Sequence, residues 1–129
     1  MAMLLRFHGD IRWLVVIVAA VVIIKFLIGW LGKKQYAPLD KTLLTAYSIL
    51  LDINVLLGLI LLFFTRGPNG PRMEHATTMI LAVAAAHATA IWRKSNDSPT
   101  KYRNQLLMVL LSLALVIVGV IRLRYSFIF

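Results

Sequence analysis

Long apolar runs separated by short polar segments organise this chain. Four runs stand out: Trp13 to Gly32, broken only by Lys25; Leu43 to Phe64, broken by Asp52 and Asn54; Ala76 to Trp92, shorter and rich in alanine; and Gln105 to Ile121, with no ionisable residue. A membrane-spanning helix needs about 20 apolar residues, somewhat fewer in a thin bilayer, so each run is a candidate span. None alternates with period two, which argues against a small outer-membrane barrel and for helices that satisfy their own backbone. The connections KKQYAPLDK, TRGPNGPRMEH and RKSNDSPTKYRN each contain proline and are short enough to force antiparallel neighbours. The pattern predicts one all-α transmembrane domain over 1–129, an up-down-up-down four-helix bundle with helices over about 11–33, 42–65, 73–93 and 104–124. Both termini then fall on one side. The first run is too long for a signal-peptide core and ends in Gly32-Lys33-Lys34 with no small-x-small cleavage site, so it reads as a span.

Composition sharpens this picture. Of the 129 residues, 60% are hydrophobic and 15% charged, against about 25% charged in ordinary soluble domains. Mean hydropathy is +0.84. The absence of cysteine excludes disulfides, zinc–thiolate sites, thiolate-held iron–sulfur clusters and a cysteine nucleophile. The net charge of +9 does not point to nucleic acid, because the basic residues flank the apolar runs as membrane-surface anchors. Six lie on the side of the termini (Arg6, Arg12, Arg66, Arg72, Arg122, Arg124) and seven opposite (Lys33, Lys34, Lys41, Arg93, Lys94, Lys101, Arg103). All loop lysines fall on the second side, which is expected to face the cytoplasm, leaving the termini non-cytoplasmic. Trp13, Trp30 and Trp92, and the terminal Tyr125, Phe127 and Phe129, take the positions of interfacial aromatic belts.

Ionisable residues inside a span are functional candidates. Counted from the lysine-rich side, Asp52, Lys25 and His87 lie about 13, 10 and 7 Å deep on three different helices, close enough in level to form one polar cluster. Such a cluster could relay protons or contact a quinone, with Asp52 as acceptor and His87 titrating near neutrality. The plainer alternative has Lys25 snorkelling to the surface and Asp52 held by Lys25 or Ser48. His8 and His75 form a second pair, at the starts of the first and third helices and so at similar height near the opposite surface. Two imidazoles from different helices at one level can sandwich a porphyrin as axial ligands. Met79 follows His75 by one turn and could pack on the ring or serve as alternative ligand; Ala82 and Ala86 continue that face and suit either a flat ring or close helix packing. Glu74 suits a helix N-terminus or could accept from a histidine N–H. His75 and His87 are about 18 Å apart along one helix and cannot share an iron. There is no phosphate loop, no His-Glu-x-x-His and no nucleophile elbow.

FHGDIRWLV in the first helix, LLDINVLLGLILLFF in the second, RMEHATTMILAVAAAH in the third and a basic loop before the fourth together resemble a group of small bacterial four-helix integral-membrane proteins described as cytochrome b-like. The resemblance implies His8 and His75 as ligands of haem b. It also implies a histidine in the second helix, where this chain carries Asp52, a poor haem ligand. Three functional readings follow: an electron-transfer protein of a bacterial inner membrane, beside a respiratory or photosynthetic complex and exchanging with quinol; a non-catalytic accessory subunit of a larger membrane complex or homo-oligomer; and a small proton-conducting or transport module using Lys25, Asp52 and His87. None requires independent catalytic activity.

Overall fold

The computed structural model describes residues 2–66 and 69–128, with side chains over 3–64 and 69–123. It is an all-α antiparallel four-helix bundle: α1 (Ala2–Leu31), α2 (Pro38–Leu61), α3 (Gly70–Ala88) and α4 (Ser98–Ile128). A π-helical turn, Leu62–Arg66, continues α2, and a 3₁₀ turn, Thr89–Trp92, continues α3. Each helix offers an apolar stretch long enough to cross a membrane, over Met3–Leu31, Pro38–Phe64, Gly70–Trp92 and Ser98–Leu123. Large apolar side chains such as Ile17, Ile24, Leu56, Ile80 and Ile121 point outward from the bundle. In water that surface would be a liability, whereas lipid is its matching solvent, so the chain is membrane-integral. The side chains of Arg66, Arg124, Tyr125 and Phe127, and the residues Phe129, Gly67 and Pro68, lie outside what is described.

The helices extend beyond the apolar runs. α1 begins at Ala2 and α4 at Ser98, because polar residues that cross the interface remain helical although hydropathy counts only the hydrocarbon part. α2 begins at Pro38, where proline needs no hydrogen-bond acceptor, and Asp40 reaches back to accept from the Ala37 N–H at 2.8 Å. Asn69 starts α3 by accepting from the Arg72 N–H at 2.8 Å. At the other end of α1, the Lys34 N–H bonds to the Gly29 carbonyl and the Lys33 N–H to that of Trp30, with Lys33 left-handed at φ 53°. That is the Schellman stop, with lysine where glycine is usual.

The core is a seam of residues three and four apart: Val15, Ala19, Val22 and Phe26 on α1; Leu44, Tyr47 and Leu51 on α2; Met79, Ala82 and Ala86 on α3; Tyr102, Leu106, Val109 and Val116 on α4. Alanines let α3 approach α4, and in this membrane setting van der Waals contact and polar crosslinks hold what a hydrophobic effect cannot. Thus Ala82 and Ala86 serve close packing. Gly29 has the same role, since a Cβ there would lie 2.5 Å from the Tyr102 ring. One crosslink is fully buried: Ser112 Oγ donates to the Ala82 carbonyl at 2.7 Å and therefore accepts from Tyr47 Oη at 2.8 Å. Ser112→Ala is expected to cost about 0.6–1.7 kcal/mol, the range of interhelical hydrogen bonds in bilayers. Reversible unfolding in mixed micelles measures it, and a change below that range would show that Tyr47 finds another acceptor.

Candidate functional site

The bundle loosens toward the end that carries the termini. A cavity of about 560 Å³ opens there between all four helices, within the usual range of about 300–1,000 Å³ for cofactor sites. His8 from α1 and His75 from α3 both line it, with Met79, Asn54, Arg12 and Arg72 among an otherwise apolar wall. The two histidines anticipated as a pair are thus brought to one space.

Both rings are held in the same manner. His8 Nδ1 lies 3.0 Å from the Asn54 carbonyl of α2, and His75 Nδ1 lies 3.1 Å from the Gly119 carbonyl of α4. A carbonyl only accepts, so each ring carries a proton on Nδ1, and in the neutral form the lone pair is at Nε2. Hydrogen bonding at one ring nitrogen to a main-chain carbonyl is how proteins fix the tautomer of a ligating imidazole. Each ring also rests beside a helical glycine. A Cβ at Gly58, one turn beyond Asn54, would come within 3.0 Å of His8 Cε1. At Gly119 a Cβ would lie 2.6 Å from Met79 Cε. The glycines therefore make room for His8 and for the thioether. Asn54 Oδ1 is buried with no hydrogen-bond partner, an orphaned acceptor in the cavity wall. Glu74 pairs with Arg122 of α4 at 2.6 Å, so it clamps α3 to α4 and does not orient a histidine.

The anticipated cluster of Lys25, Asp52 and His87 separates into two. Lys25 bends toward the lysine-rich end and meets Asp40 at 2.5 Å. Asp52 lies twelve residues beyond Asp40, about 18 Å along α2, and pairs with His87, whose Nε2 is 2.9 Å from both carboxylate oxygens. Measuring depth from Leu43 concealed this, because α2 starts at Pro38.

Sequence reasoning missed Asp40, the centre of a buried lock. Its carboxylate has no exposure and accepts from Lys25, from Tyr102 Oη at 2.6 Å and from the Ala37 N–H. Phe26, Tyr36 and Tyr102 stack around it with ring centroids 5.0–5.9 Å apart. Tyr36 Oη donates to Gln105 Oε1 at 2.7 Å, and Gln105 Nε2 donates to the Thr89 carbonyl of the 3₁₀ turn at 3.0 Å. Two hints were present: an acid two residues after a proline, and a lysine within an apolar span in need of an anion. Burial, and then the nearby Asp40 charge, push the Tyr36 phenol from its ordinary 10 up to about 12. The folded chain keeps this proton at pH values where an unfolded tyrosine has lost it. Its contribution to stability is whole below pH 10 and is lost as pH rises through about 12. Tyr36→Phe should flatten the fall of stability across that window, read by unfolding at stepped alkaline pH.

No family model, curated protein or solved structure matches this chain. Among the described residues, no three His, Asp or Glu side chains gather where they could hold a metal ion.

Proposed function

We propose that the chain is a small integral-membrane b-type cytochrome that carries electrons within or beside a membrane redox complex. The observation that supports this most is the pair His8 and His75, from two helices, lining one cavity with each Nδ1 bound to a main-chain carbonyl and each Nε2 free to ligate. The donor set fits haem b. Two neutral imidazoles suit its iron, the apolar wall suits its ring, and Arg12 and Arg72 suit its propionates, as Arg forks match carboxylates. When bound, haem supplies reversible one-electron chemistry. The chain holds the ring planes, excludes water with Val15, Leu51 and Val116, and sets ligand basicity through the Asn54 and Gly119 carbonyls. Its partners on this reading are the bilayer and either quinol or a larger complex in a bacterial inner membrane, with the lysine-rich end cytoplasmic.

The test is an oxidised and dithionite-reduced spectrum, with pyridine haemochrome quantitation, on the detergent-purified chain expressed with haem supply. A sharp reduced α band at stoichiometric haem is the expected result. A colourless, helical protein overturns the reading and turns attention to an accessory subunit that copurifies with a larger complex.

A further inference from the structure

The seam between α2 and α3 is the loosest in the bundle, and toward the lysine-rich end it opens as a second, smaller groove. Lys41, Thr45, Ser48 and Asp52 line it at spacings of four, three and four residues, one face of α2, and His87 faces them from α3. The His87 and Asp52 side chains are 56% and 41% exposed. Asp52 is the fifteenth of the 27 residues of its span and His87 the eighteenth of the 23 of its own, so the exposed pair lies within both apolar stretches. An aspartate at that depth costs about 2.5–3.5 kcal/mol and is too short to reach the surface. The Lys25–Asp40 pair offsets this cost through a buried carboxylate that also accepts from Tyr102 and the Ala37 N–H, whereas the His87–Asp52 pair stays exposed.

The chemistry of the pair is that of a held base. Asp52 receives the Nε2–H of His87 on both oxygens, which leaves Nδ1 to accept from a ligand hydroxyl when the ring is neutral and to donate to a ligand carbonyl when it is protonated. The groove holds about 140 Å³, and a cavity of about 150 Å³ is known to take a benzene ring. Ile49 and Ile53, exposed on the outer face of α2, continue the path into the lipid. A ligand that enters from the bilayer therefore needs a flat polar ring with a hydroxyl or carbonyl and an apolar tail. Leu51 and Asn54 line the histidine cavity while Asp52 lines the groove, so a ring at Asp52 is separated from that cavity by one helix, about 10–12 Å across.

We propose that the α2–α3 groove binds the headgroup of a quinone or quinol, with His87 Nδ1 hydrogen-bonded to a ring oxygen and Asp52 as the positioning residue behind it. This names the class of redox partner for the cytochrome reading and rests on that reading for the fate of the electrons, while binding stands by itself.

The probe is decylubiquinone, titrated into the full chain in nanodiscs of neutral lipid, with Trp13→Phe and Trp30→Phe leaving Trp92, at the end of the 3₁₀ turn whose Thr89 and Ala90 line the groove, as the reporter. Saturable quenching of Trp92 is expected, weakened at least tenfold by His87→Phe or Asp52→Leu and largely restored in His87→Gln, whose amide N–H keeps a donor for the ring carbonyl. Ring-nitrogen NMR of the otherwise unaltered chain should show one histidine responding to the quinone, lost in His87→Gln. Quenching that rises without saturation, or saturates equally in all variants, overturns the proposal, as does its abolition by a small fraction of anionic phospholipid, which would assign the groove to a lipid headgroup. Preparations made with and without haem supply keep the two readings apart. A chain with no haem band that still saturates with quinone overturns only the cytochrome reading, and a haem-loaded chain that does not saturate overturns only this one.

Discussion

Asp40→Ala is expected to destabilise the folded bundle by about 3–5 kcal/mol, the cost of breaking a buried ion pair from one side. The carboxylate satisfies three donors, from Lys25, Tyr102 and the first turn of its own helix, and has no exposure to solvent or lipid. Its removal leaves the Tyr102 hydroxyl with only the longer contact to the Gln35 carbonyl at 3.1 Å. Lys25 is one-third exposed, so snorkelling recovers part of the loss and places the expected value toward the lower end. The double variant Lys25→Met/Asp40→Leu should be more stable than Asp40→Ala alone, because replacing both charges by apolar groups of similar volume avoids the unpaired ion. Unfolding midpoints of the wild type, both singles and the double in mixed micelles give the coupling energy. A coupling near zero would mean that Asp40 acts only as the α2 cap, worth about 1 kcal/mol.

The contrast between Asp40 and Asp52 explains how far the sequence was legible. Span number and topology follow from hydropathy because a backbone in lipid has few solutions, and all four apolar runs, apart from Gly32 at the end of the first, lie within helices. Placing His8 and His75 at one level needed only the rule that alternate helices start at the same surface. Which acid pairs with Lys25 depended on where α2 begins, and that is set by a local choice between loop and helix at Pro38, five residues before the apolar run. Shifting the start lowers Asp52 by more than a turn and brings Asp40 into reach. Rotation about the helix axis was equally hidden. The alanines of α3 fit a porphyrin or a packed neighbour, and only the contact of Ala82 with Ser112 decides that they face α4.

His8→Ala and His75→Ala are each expected to abolish the sharp α band of six-coordinate low-spin haem in a chain that remains inserted and helical. His8 is fixed by a carbonyl of α2, and no methionine or other soft ligand of α1 lines the cavity near it, so its removal should leave iron with one protein ligand. His75 differs, because Met79 stands one turn further along α3 in the same wall. A thioether in place of imidazole gives a His/Met pair, which raises the reduction potential instead of erasing the cofactor. In His75→Ala, any low-spin fraction that survives should therefore titrate at higher potential, and it should vanish when Met79→Leu is added. Gly58→Leu separates ligation from space: the added side chain must displace the His8 ring, since even a Cβ would lie 3.0 Å from it, so haem should be lost although both histidines remain. Spectra unchanged in His8→Ala would show that any bound haem uses other ligands and would detach the cavity from the function proposed for it.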